Sequence, residues 1–355
     1  MLNARWGKVV LTGCLAVAAL ALSACTGPSA SLKSQPEQLL QWPKAPLAPK
    51  VQWIRTIADP AGAGIRTGFW KSAWDLVVGG EKRHMVRPYG VLCDAHERLI
   101  IADPGGAAIH LMDVRENRYS IIEGGEGFKL RTPIGLTEDL QNHVYVTDST
   151  AGEVYILDLE TLQLKPFATP QLNRPTGIAY NAFNKQLYIV DTLADEVVVV
   201  NEGGKEIRRF GSLTFNHPTD IYTDKNGLVY VTDALNYNIQ LFTPEGKPVG
   251  QIGTPGAELG RLNKPKGVAA DSDGHIYISD AMHDAVQVFD PAGRFLLSFG
   301  STGSGNGEFW MPSGIYIDAQ NYIFVADTYN RRVQIFRYLS GTVPSGPGAA
   351  QQGAK

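Results

Sequence analysis

Gly267-Val268-Ala269-Ala270-Asp271-Ser272-Asp273-Gly274-His275-Ile276-Tyr277-Ile278-Ser279-Asp280 is followed, four residues on, by Ala285-Val286-Gln287-Val288-Phe289. Pro291-Ala292-Gly293 then leads into Phe295-Leu296-Leu297-Ser298-Phe299. Four short runs rich in aliphatic, β-branched and aromatic residues are thus divided by turn chemistry. Ala285–Phe289 alternates as a half-buried strand does. Asp273-Gly274 here, like Asn226-Gly227 earlier, supplies the positive φ that tight hairpins require. The acidic turns are therefore read as turns and not as calcium loops, which need a longer ordered set of oxygen ligands. The segment predicts one antiparallel four-stranded unit.

The same design recurs outward in both directions. Units begin at Arg87-Pro88-Tyr89-Gly90, Thr132-Pro133-Ile134-Gly135, Arg174-Pro175-Thr176-Gly177, His217-Pro218-Thr219-Asp220, Lys264-Pro265-Lys266-Gly267 and Met311-Pro312-Ser313-Gly314. Successive prolines are 45, 42, 43, 47 and 47 residues apart. Each is followed after 15 or 16 residues by a strand ending in Asp: Asp103, Asp148, Asp191, Asp233, Asp280 and Asp327. Six units with a period in the forties predict an all-β, six-bladed β-propeller. The last unit stops after Val333-Gln334-Ile335-Phe336 and lacks an outer strand, whereas Val51–Ile57 has strand composition and no partner of its own. Donating that N-terminal strand to the last blade closes the ring and removes an exposed sheet edge.

Before the repeats, residues 1–24 read as a lipoprotein signal peptide. Arg5 and Lys8 form a positive n-region, and the apolar run Val9–Leu22 is too short for a spanning helix. Leu22-Ser23-Ala24-Cys25 resembles a bacterial lipobox, which implies a diacylglycerol on Cys25 as the new N-terminus. Thr26 at the next position resembles the outer-membrane sorting signal. Residues 25–50, with Pro28, Pro36, Pro43, Pro46 and Pro49, read as a Pro-rich tether. The propeller spans 51–339, with an insert at 58–86 whose Phe69, Trp70, Ala73, Trp74 and Val77 have the spacing of a short amphipathic helix. Residues 340–355 read as a disordered tail. Removing the signal takes the net charge from −3 to about −5, so nothing suggests a nucleic-acid binder. Only Cys93 remains as a thiol, in the apolar run Gly90-Val91-Leu92-Cys93, and cannot form an internal disulfide.

Phe324-Val325-Ala326-Asp327-Thr328-Tyr329-Asn330-Arg331-Arg332-Val333-Gln334-Ile335-Phe336 resembles the NHL repeat, and the resemblance covers about Pro88 to Tyr338. The whole chain is similar to bacterial propeller lipoproteins carrying such repeats. The resemblance implies the six-bladed fold but leaves function open. NHL propellers include protein- and RNA-binding modules, receptor-like domains and an α-amidating lyase, and six-bladed cousins include lactonases and a streptogramin lyase.

The lyase resemblance implies a zinc ion held by histidines around the channel. Here only His217 and His283 fall at the channel mouth, with His84 in the insert. His96, His143 and His275 belong to turns at the opposite face, and His110 to a third strand. An open catalytic zinc site usually takes three protein ligands, so no metal, no catalytic residue and no cofactor beyond the Cys25 lipid are expected. No Gly-x-Ser-x-Gly elbow appears, and the glycine-rich run Gly300–Gly307 lacks the Lys-Ser/Thr of a phosphate cradle. The candidate binding residues are the mouth cations Arg87, Arg131, Arg174, His217 and Lys264, together with the six Asp residues. The cations are expected to pair with the Asp ring and stitch blades together. The sharper alternative is an electropositive funnel for an anionic group. Trp70 and Trp74 offer a lid. The expected function is a monomeric, lipid-anchored envelope module that binds a protein, peptide or carbohydrate ligand at its channel mouth. A propeller enzyme of the lyase or lactonase type is the alternative.

Overall fold

Turn chemistry and alternation fold each unit locally. In the computed structural model, which describes residues 31–33, 39–66 and 84–339, Pro265–Ala270, Ile276–Asp280, Ala285–Phe289 and Phe295–Phe299 pair antiparallel in succession. Gly274 and Gly293 turn the hairpins at φ 86° and 79°. We number the blades one to six by their inner strands: Val91–Cys93, Pro133–Glu138, Pro175–Asn181, Pro218–Thr223, Pro265–Ala270 and Pro312–Ile317. The described residues contain strands and turns and no helix. The chain is a six-bladed β-propeller.

Val51–Ile57 pairs with Arg332–Tyr338, from Val51 opposite Tyr338 to Ile57 opposite Val333, and completes blade six. Val51, Trp53, Ile54 and Ile57 are buried there. The inner strands close the circle backbone to backbone. A Cβ on Gly90, Gly135 or Gly314 would collide with the carbonyl oxygen of Ile134, Thr176 or Tyr89 in the next blade, which is why the Pro-x-Gly motif ends in glycine. At the seam between blades six and one, Gly314 N donates to Tyr89 O at 3.1 Å. The Thr328 hydroxyl donates to Pro88 O at 2.9 Å. The loop 300–307 is held by Arg332, whose guanidinium donates to the carbonyl oxygens of Ser304, Gly305 and Glu308. Cys93 is a free thiol packed in the core.

Where described, the stretch expected to be a tether is part of the propeller. Gln41–Trp42 adds a fifth strand to blade six beside Val51 and Gln52. The Trp42 ring lies 6.1 Å from that of Phe299 and 5.9 Å from that of Phe336. Leu32 is fully buried, Ser31 donates to Glu97 at 2.8 Å, and Lys33 pairs with Asp318 at 2.8 Å. The prolines of this stretch hide a period-two pair, Leu40 and Trp42, that suits an edge strand. The proposed helix with Trp70 and Trp74 lies outside the described residues, but the ends of the insert are visible. Ala63 and Ile65 are buried, and the backbone N–H and C=O of Arg66 hydrogen-bond to the side-chain amide of Asn117. Asn117 belongs to the turn between the third and outer strands of blade one, at the face away from the prolines. The outgoing arm therefore leads away from the mouth, and only the returning arm, Met85 to Arg87, arrives there.

Candidate functional site

The six inner strands surround a cavity of about 250 Å³. Its entry end is the proline end of the strands. Its turn end is where inner and second strands join, near Glu138 and Tyr316.

At the entry end the Asp ring is buried, and its carboxylates are taken up by backbone amides and, at Asp103, Asp233, Asp280 and Asp327, by the side chains of His110, Gln240, His283 and Arg332 as well. Asp103 accepts from the amides of Val86, Arg87 and Gly106, and its Oδ2 lies 3.2 Å from His110 Nε2. Burial alone would raise its pKa, but His110 and the amides outweigh it and hold the carboxyl below the ordinary range. Asp148 accepts from Arg131, Thr132, Thr150 and Ala151. Asp191 accepts from Asn173 and Arg174, and Asp280 from Asn263, Lys264 and Met282. Blades four and six differ. Asp233 and Asp327 take the amides of Asn216 and Trp310. Those of His217 and Met311 turn instead to Asp195 and Asp284 of the preceding blade. His217 and Met311 adopt φ 62° and 54° to do so. Burial pushes Asp233 and Asp327 upward in pKa.

The expected pairing of mouth cations with this ring is not made. The carboxylates bind the backbone N–H groups of Arg87, Arg131, Arg174 and Lys264, while the charged heads project elsewhere. Among the described residues, Arg87, Arg131, Arg174, His217 and Lys264 have no side-chain ion pair or hydrogen bond; Arg87 instead covers the Tyr329 ring at 5.8 Å. Arg87, Arg131 and Arg174 are exposed, whereas His217 and Lys264 are half-buried. Burial, Arg174, Lys266 and Lys264 lower the His217 pKa, against the pull of Asp195. His283 lies buried against Asp280 at 2.9 Å. No group of three His, Cys, Asp or Glu side chains suited to a metal comes together among the described residues.

Two further residues define the channel. Lys266, the middle residue of its Pro-x-Gly, is half-buried. Burial, then Lys264 and Arg174, bring its pKa down to about 8. Asp220 occupies the glycine position of blade four and lines the cavity. Its carboxylate accepts from Val268 N at 3.1 Å, yet burial pushes its pKa up to about 7. The Tyr89 hydroxyl is raised by burial and by Asp220, against the opposing effect of Arg174. Charge thus changes sign from mouth to interior. At the turn end, burial and Asp94 bring Glu138 up to about 7. The departure His217-Pro218-Thr219-Asp220 from Pro-x-Gly was the sequence signal for Asp220.

A family model described as a six-bladed beta-propeller matches residues 266–341. No curated protein sequence matches the chain. Solved structures share the fold. An auxiliary nutrient binding protein from Bacteroides ovatus aligns with a TM-score of 0.59 at 14% identity, over 71% of this chain and 69% of that one. Virginiamycin B lyase from Staphylococcus aureus aligns at 0.55 and 14%, over 72% and 96%. A streptogramin B lyase aligns at 0.55 and 13%, over 70% and 78%. Likeness at this identity is a likeness of fold.

Proposed function

We propose that the chain is a lipid-anchored envelope propeller of NHL-type repeats that binds a ligand or partner at the entry end of its channel. The observation that carries this reading is the concave mouth itself, where cations with no ion pair or hydrogen bond among the described residues stand above a cavity lined by Tyr89 and Asp220. The fold it shares with proteins named as auxiliary nutrient binding proteins is compatible with such a role. Anchoring rests on the lipobox at Cys25. Five residues lie between Cys25 and Ser31, a reach of at most about 20 Å. Ser31 and Lys33 are bound to Glu97, Asp318 and Gln320 at the turn end.

Two measurements test the two halves. Replacing Cys25 by Ala should abolish lipid labelling and membrane fractionation, and unchanged labelling would remove the anchor. A double Arg87→Ala and Arg174→Ala variant should stay folded and lose the crosslinked partners or ligands that the wild type retains. Full retention by a folded double variant would place the binding site away from the mouth.

A further inference from the structure

Within this mouth we propose a site for the anionic group, a carboxylate or a phosphate, of a small ligand, held by Arg174, Lys264 and Lys266. The inference rests on reading the mouth as the binding end and narrows it to the side formed by blades three to five.

Lys266 carries the argument. The equivalent position in the other units is Tyr89, Ile134, Thr176, Thr219 or Ser313, all uncharged, so the fold itself has no need of a cation there. Its backbone is fixed, since the Thr219 hydroxyl of the neighbouring blade donates to Lys266 O at 3.3 Å. Its ammonium has no hydrogen bond or ion pair among the described residues. The charges it feels most are two more cations, Lys264 and Arg174, and His217 is pressed by all three. The nearby acids are otherwise engaged. Asp191 and Asp280 accept the amides of Asn173, Arg174, Asn263 and Lys264, and Asp195 accepts that of His217.

Like charges gathered in a partly desolvated recess destabilise the free protein, and a bound anion relieves that strain. Arg174 can present a planar fork to two oxygens, while the lysines act as point charges. Deeper in the cavity Asp220 has no cationic partner among its hydrogen bonds. Its negative charge would stop an anion at the mouth and leave the uncharged remainder of the ligand to face the channel walls.

The test uses the mature protein with inorganic phosphate and with citrate, at ionic strength held constant by sodium chloride. Calorimetry and melting should show binding of one or both by the wild type. Lys266→Met and Arg174→Ala should each weaken it about tenfold or more. Lys225→Ala, an exposed cation in the turn at the opposite face of blade four, should leave it unchanged. Lys266→Arg restores the charge and should recover binding, which separates loss of the site from loss of folding. Response to phosphate alone or to citrate alone identifies which oxyanion the site accepts. No binding beyond the chloride control, unchanged affinity in a folded Lys266→Met protein, or an equal loss in Lys225→Ala would each overturn the proposal. If the Arg87→Ala and Arg174→Ala variant loses natural ligands while neither anion binds the wild type, the mouth stands and the anion site falls. If Lys266-dependent anion binding persists while retention of natural ligands ignores the double variant, the converse holds.

Discussion

The two faces of the propeller use the same residue types to opposite ends. At the turn end Asp94, Asp139 and Asp271 are each paired within their own hairpin, and Asp318 is paired by Lys33 from outside it. Asp94 accepts the amides of His96 and Arg98 and then Arg98 Nε at 2.5 Å. Asp139 and Asp271 repeat this with the rings of His143 and His275, at 3.0 and 2.9 Å, and with the hydroxyls of Tyr145 and Tyr277. The partner four residues on returns directly opposite the Asp, so charge is neutralised locally. At the entry end the cation is 16 or 17 residues before its Asp and offers only a backbone N–H. Among the described residues its side chain makes no ion pair or hydrogen bond, whereas Arg332, five residues after Asp327, does pair with that Asp at 2.6 Å. Charge near an acid in the sequence is therefore no guide to whether it is paired, whereas its place in the hairpin is.

The largest effect that would break this comparison is at Asp148. Replacing it by Ala leaves the amides of Arg131, Thr132, Thr150 and Ala151 without their acceptor in a buried position. Each unsatisfied buried group costs about 1–3 kcal/mol, although some amides will find water. A loss of roughly 3 kcal/mol or more is expected from chemical denaturation. A loss below about 1 kcal/mol would show that the Asp ring does not organise the entry end.

A smaller effect of opposite sign is expected at Asp220. Its pKa is raised from the ordinary 3.8 to about 7, so between these values the folded state holds a proton that the unfolded state releases. The stabilisation from that proton is complete below about pH 4 and is lost as pH rises through about 7. Asp220→Asn, which has no charge to bury, should be more stable than the wild type at pH 8 by roughly 1–3 kcal/mol. The advantage should shrink toward pH 4. Melting curves at both pH values check this, and a pH-independent difference would mean that the carboxylate is not a buried charge.

These residues also show what the sequence could disclose. Blade number and ring closure follow from the Pro-to-Asp spacing and from a strand missing at one end and spare at the other, both properties of linear order. Leu40 and Trp42 were masked by the prolines around them, because composition averaged over 25 residues drowns a two-residue alternation. Asp220 and Lys266 stand inside the repeat motif, where an atypical residue reads as a degenerate copy. Only the closed ring brings Lys266 of blade five within the electrostatic reach of Arg174 on blade three. The direction of the mouth cations was equally hidden, since spacing cannot tell a backbone donor from a side-chain donor.

The smallest effect sharpens the comparison most directly, by asking what one side chain contributes on each face. His143 lies 3.0 Å from Asp139 and is 42% exposed in its side chain, a contact worth about 0.2–1 kcal/mol. Arg131 is exposed, with its amide bound to Asp148 and its head unpaired among the described residues. Changing Arg131 to Ala keeps the amide, so stability should move by less than about 0.5 kcal/mol at any pH. Changing His143 to Ala removes a ring hydrogen-bonded to Asp139, so its cost in chemical denaturation should exceed that of Arg131→Ala. Equal costs at the two positions would mean that the faces do not differ in how they treat these side chains. A cost confined to His143 would leave the Arg131 head at the entry end free to engage something else.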